Sequence, residues 1–77
     1  MTPPSRVAFS EHALEQLANR GLSAEQVADA VLNSHDRRRR NPHSADWVVR
    51  ARGIVAAYNW PDGEDQTTAY IVSAWPE

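Results

Sequence analysis

The chain has 77 residues, no cysteine, no lysine, eight arginines and a formal net charge of −2, which fits one domain near the lower size limit for a self-sufficient core and excludes disulfide and thiol chemistry. The opening "MTPPSR" has no apolar h-region and no later segment could span a bilayer, so a soluble, cytoplasmic protein is expected. Charge is unevenly spread: residues 1–33 carry two arginines against four acids, 34–53 six against two, and 54–77 none against four, so a positive patch is compatible with an acidic whole.

In chain order, "RVAF" (Arg6 to Phe9) reads as a short strand, and Ser10 has the side chain of a helix N-cap with Glu11 in the first turn. The helix is expected to run to about Arg20, with Ala13, Leu14, Leu17 and Ala18 on its apolar side and His12, Glu15, Gln16 and Asn19 opposite. Gly21 ends it as a C′ residue. Next, "SAEQ" (Ser23 to Gln26) is a capping box. It opens a second helix whose stripe is Ala24, Val27, Ala28, Val31 and Leu32, stopped by Asn33 and Ser34.

After this the period becomes alternating. "DRRRRN" (Asp36 to Asn41) is read as a strand with Arg37 and Arg39 on one face and Arg38 and Arg40 on the other. "DWVVRARGIVAAYNW" (Asp46 to Trp60) is two strands with a hairpin turn at Arg52-Gly53. "PDGED" (Pro61 to Asp65) is a turn, and "QTTAYIVSAW" (Gln66 to Trp75) a final strand. The fold class is therefore α+β: two N-terminal helices packed on a twisted antiparallel sheet of three to four strands, with a short N-terminal strand in addition.

Two features bear on chemistry. His12 lies opposite the apolar stripe in the first turn of its helix, where the dipole favours the neutral imidazole a general base needs, with Gln16 and Asn19 as amide neighbours. The plainer alternative is an ordinary exposed side chain. The arginine run, with Arg50 and Arg52 near it, is either an anion-binding surface or a solvated edge strand whose charges discourage aggregation. Trp47, Tyr58, Trp60, Tyr70 and Trp75 are read as core or cross-strand partners, with one or two free to stack an unpaired base. His35 and His43 fit no zinc spacing and are read as loop histidines, so neither metal nor cofactor is expected. The glycines form no phosphate-cradling loop.

"FSEHALEQLANRGLSAEQVADAVL" (Phe9 to Leu32) resembles the start of a family of small uncharacterised bacterial domains that begins Ser-x-His-Ala and continues to Arg-Gly-Ile/Leu-Ser. The matching residues are Ser10, His12, Ala13, Arg20, Gly21, Leu22, Ser23 and Val27. "IVSAWPE" echoes its final strand, with Ser73 and Trp75 where threonine and tyrosine are usual, and the family often has arginine where Gln16 stands. That family looks like part of the wider group with the RelE/ParE-type toxin fold, alongside nuclease domains of the barnase, EndoU and colicin kind.

The resemblance implies a small toxin-like endoribonuclease that cleaves RNA without metal and has an antitoxin or immunity partner. His12 would act as general base or acid, and Arg20 would hold the phosphate together with Arg38, Arg40 or Arg50. Tyr70 or Ser73 would supply a hydroxyl, and Gln16 would contact RNA or orient the ring. The alternative is a non-catalytic module on the same fold that binds nucleic acid or an acidic protein segment.

Overall fold

A computed structural model describes residues 3–41, 45–61 and 65–77. The elements run β1 (Arg6–Phe9), α1 (Glu11–Arg20), α2 (Ala24–Ser34), a 3₁₀ turn (His35–Arg37), β2 (Arg39–Arg40), β3 (Trp47–Ala51), β4 (Ile54–Asn59) and β5 (Thr68–Pro76). One five-stranded sheet has the order β1-β5-β4-β3-β2. The α+β class and the two N-terminal helices stand as expected, but the sheet is mixed. β1 pairs parallel with β5, so the all-antiparallel expectation fails at that edge.

The helix boundaries follow from their caps. The Ser10 hydroxyl accepts from the Ala13 amide at 3.0 Å, and Gly21 closes α1 at φ 68°, a left-handed conformation glycine adopts without a Cβ penalty. At α2, Ser23 and Gln26 form the reciprocal capping box. Between β3 and β4, Arg52 and Gly53 both have positive φ (55° and 77°). This is the type I′ hairpin whose twist matches that of the flanking strands. Arg52 also forms an ion pair with Asp29, tying the turn to α2.

Ala13 and Leu17 of α1 and Val27 and Val31 of α2 join Val49, Ile54, Ala56, Tyr58, Trp60, Ala69, Ile71 and Ala74 in one buried cluster. Tyr58 and Ile71 are its largest fully enclosed members, each contributing roughly 1.5–3 kcal/mol through burial. The expected apolar stripes are partly displaced. Leu14 is 48% exposed and Ala18 is exposed, while Gln16 is half-buried, so α1 is rolled towards the sheet relative to its hydrophobic pattern. In α2, Ala24 and Leu32 are exposed and Ala30 takes their place inside.

The roll has a structural cause. β1 pairs with β5 only as far as Phe9 opposite Ile71, leaving the following part of that β5 edge without a strand partner. The chain fills the gap with α1. Ser10 donates its amide to the Ile71 carbonyl, and the Gln16 and Arg20 side chains bond the backbone of Ala74. A helix with polar residues at every fourth position thus covers an exposed strand edge.

The run from Asp36 to Asn41 is mostly not a strand. Residues 35–37 form a 3₁₀ turn and only Arg39 and Arg40 pair with β3. Most of the "PDGED" turn and His43 lie outside the described residues. No described helix is long and apolar enough to cross a membrane.

Candidate functional site

The sequence-predicted site residues separate into two places. Along α1, His12, Gln16 and Arg20 occupy successive turns, and Gln16 and Arg20 bond to β5. The Gln16 Oε1 accepts from the Ser73 hydroxyl at 2.6 Å and from the Ala74 amide at 3.4 Å, which fixes the side-chain orientation because a backbone N–H can only donate. The other end of that amide then donates to His12 Nε2 at 2.8 Å. A nitrogen that accepts is unprotonated, so the neutral ring carries its proton on Nδ1. Arg20 Nη1 donates to the Ala74 carbonyl at 2.6 Å.

Ser73 reaches this seam through a bulge. The β4–β5 register steps from Ala57 opposite Ser73 to Tyr58 opposite Ile71, leaving Val72 as the extra residue. Such a bulge re-aims the side chains beside it. The structure therefore brings His12, Gln16, Arg20 and Ser73 together. Tyr70 lies on the same strand but alternates with the buried Ala69 and Ile71, which places it on the sheet face turned away from the core.

The arginines gather elsewhere. Arg37, Arg39, Arg40 and Arg50, with Val48 as the apolar member, line an open groove of about 500 Å³ beside β2 and β3. No carboxylate is among the described lining residues. None of these four arginines has an ion pair among the described residues, where the pair between Arg52 and Asp29 stands alone. β2 lies three positions from β5 in the sheet, roughly 14 Å at usual strand spacing. No hydrogen bond or ion pair links the groove to the His12 seam among the described residues.

Arg38 is placed differently from its neighbours. Its guanidinium lies over the Trp47 ring at 4.3 Å and the Trp60 ring at 5.3 Å, and Nη1 donates to the His35 carbonyl at 3.1 Å. The side chain is half-buried and its Nε is enclosed without a hydrogen-bond partner. Arg40 covers Trp47 at 4.4 Å. Arg38 and Arg40 both reach the Trp47 ring, as their expected common face implies, but Arg40 also lines the groove with Arg37 and Arg39, so the sorting holds only in part.

His35 is not a loop histidine. It is only 6% exposed, shares a 2.8 Å hydrogen bond between Nδ1 and the Tyr58 hydroxyl, and meets Trp60 edge-on at 4.5 Å. Burial, helped by the nearby Arg38 charge and opposed by Asp36, lowers its pKa below the usual 6.5. Burial likewise pushes the Tyr58 hydroxyl up to about 12, against the opposing influence of Arg38. The 3₁₀ turn that carries the ring inward has no sequence periodicity of its own, so the sequence pattern does not mark its burial.

Arg37 and Arg39, which are not among the residues the sequence assigns to a site, line the groove. Arg39 faces Val48 in the β2–β3 register and so shares the face of Arg50, whereas Arg37 belongs to the 3₁₀ turn and no strand alternation places it. The described residues contain no group of three or more histidine, cysteine, aspartate or glutamate side chains placed to hold a metal. No protein-family model, curated protein sequence or solved structure matches this chain.

Proposed function

We propose that this domain is an RNA-binding module that uses the groove beside β2 and β3. The observation that carries the reading is the convergence of Arg37, Arg39, Arg40 and Arg50 on one groove with no carboxylate among its described lining residues. Like charges brought together without counter-charges repel one another, and a polyanion relieves that repulsion while releasing its condensed counterions. An apolar floor at Val48 between guanidinium groups suits a chain with both phosphates and bases.

The test is a titration of a mixed-sequence RNA at increasing salt. For single strands the slope of log K against log salt is about −0.7 per phosphate contact, so three to four contacts give roughly −2 to −3. Arg39→Gln with Arg50→Gln should reduce that slope by about 1.4. A flat salt dependence, or an unchanged slope in the double variant, would reject the groove as the binding site.

A second reading, a metal-independent endoribonuclease of the toxin kind, is favoured by the chain of bonds from Ser73 through Gln16 to His12. That chain fixes one tautomer of an exposed imidazole, leaving Nδ1–H as the donor for a leaving oxygen. Base action at Nε2 would first require release from Gln16. Wild type and His12→Ala incubated with RNA in a chelator decide it: 2′,3′-cyclic phosphate ends from wild type alone establish cleavage through His12, and equal products from both remove His12 from the reaction.

A further inference from the structure

The sheet has a second aromatic feature on the groove side that the arginines alone do not explain. Arg50 of β3 stands opposite Val55 of β4, and Val55 stands opposite Trp75 of β5. Residues directly opposite in an antiparallel pair share a face. The neighbouring row, Val49, Ala56 and Ala74, belongs to the buried cluster, so the row Arg50–Val55–Trp75 lies on the opposite face of the sheet. Arg39 and Val48, which also line the groove, share that face one row along.

Trp75 is 36% exposed, whereas Trp47 and Trp60 both donate their indole N–H to backbone carbonyl groups and pack with arginine or histidine. No hydrogen bond or ring contact engages the Trp75 indole among the described residues. Two strand spacings, roughly 10 Å, separate it from Arg50, and the residue between them, Val55, is small and 2% exposed. The face thus carries a guanidinium cluster and a part-exposed indole on either side of the covered Val55.

We infer that Trp75 is a base-stacking platform and that the ligand of this face is single-stranded RNA. The inference rests on the RNA-binding reading above and adds what that reading leaves open, the strandedness of the ligand and the residue that senses it. Paired bases in a duplex have their faces occupied by their neighbours, and only an unpaired base offers a π-face to an indole. Arginines hold the phosphates of such a strand while Trp75 takes a base at the far side of the row. Stacking tolerates any base, so little sequence preference accompanies it.

The experiment measures binding of a single-stranded RNA 10-mer, the same sequence as a duplex, and inorganic polyphosphate of similar charge, to wild type, Trp75→Ala and Trp75→Phe. Thermal melts confirm that each variant is folded. Trp75→Ala should weaken single-stranded RNA by roughly five- to a hundred-fold and leave polyphosphate unchanged. Trp75→Phe should recover most of the loss, and the wild type should prefer the single strand to the duplex.

Equal affinity for duplex and single strand, or a Trp75→Ala protein that binds single-stranded RNA as wild type does, would overturn the stacking inference while the groove reading survived. An equal loss for RNA and polyphosphate would overturn it too, by showing that Trp75 acts on the charged groove instead of on bases. Failure of wild type to bind either RNA or polyphosphate would remove the groove reading and this inference together.

Discussion

Tyr58→Phe removes one oxygen from the centre of the core, and its consequence can be worked through. The Tyr58 ring is fully enclosed and its hydroxyl shares a 2.8 Å bond with His35 Nδ1. Phenylalanine keeps the ring packing, so no large cavity opens. What changes is His35, which is left with a buried nitrogen and no partner, at a cost of about 1–3 kcal/mol. For a domain this size each kcal/mol lowers Tm by about 4–8 °C, so a fall of roughly 4–24 °C is expected in a thermal melt. Repeating the substitution on a His35→Leu background isolates the pair, because removing both partners leaves nothing unsatisfied. There Tyr58→Phe should cost close to nothing. Equal cost on the two backgrounds would refute the claim that this hydrogen bond is what the hydroxyl contributes.

The remaining predictions concern pH, a turn, a cap and an exposed carboxylate. His35 has a lowered folded-state pKa, so between that value and the unfolded value near 6.5 the unfolded chain binds the extra proton. Stability should therefore fall as pH drops below about 6.5, a dependence that denaturant titrations should find diminished in His35→Leu. Gly53→Ala should cost about 1–2 kcal/mol from its positive φ alone, since an added Cβ meets nothing within 4 Å; a neutral result in denaturant melts would mean the turn relaxes to another type. Ser10→Ala should destabilise by about 1 kcal/mol through loss of the α1 cap, read as a shift in the chemical midpoint without a change in its slope. Asp65 accepts from the Thr67 amide and from the Thr67 and Thr68 hydroxyl groups, which lower its pKa to about 2. Its contribution is present above the ordinary carboxylate pKa and is lost as pH falls from about 4 towards 2, so Asp65→Asn should flatten the acid limb of the stability curve over that window.

What the sequence revealed, and what it hid, follows from the range of the interactions involved. Local chemistry was legible: Ser10, Gly21, the Ser23–Gln26 box and the Arg52-Gly53 turn each act within a few residues, and each occurs where the pattern places it. The parallel pairing of β1 with β5 was not legible, because it joins residues some sixty positions apart and "RVAF" carries no mark of its partner. The inward turn of Gln16 has the same origin. A half-buried glutamine on α1 makes sense only once β5 is known to have an uncovered edge beside it. His35 and Tyr58 are likewise 23 positions apart, and neither announces the other.

The four consecutive arginines show how a uniform sequence acquires unequal roles. Side chains in a charged run are chemically identical, so only their surroundings distinguish them. The 3₁₀ turn ends at Arg37, and the extended backbone after it alternates faces. That alternation sends Arg38 and Arg40 to the two-tryptophan side, where cation–π contact with Trp47 holds both, and sends Arg39 towards Val48. An arginine occupied by an indole and a backbone carbonyl, as Arg38 is, contributes to the fold. One without such partners, beside three others in a groove with no carboxylate among its described lining residues, contributes a field. Replacing Arg38 should therefore cost stability at any salt concentration, whereas replacing Arg39 should leave stability nearly unchanged and act on anion affinity in a salt-dependent way. The division of labour is set by the single residue of offset between the turn and the strand, which is why a run that reads as one feature in sequence behaves as two in the fold.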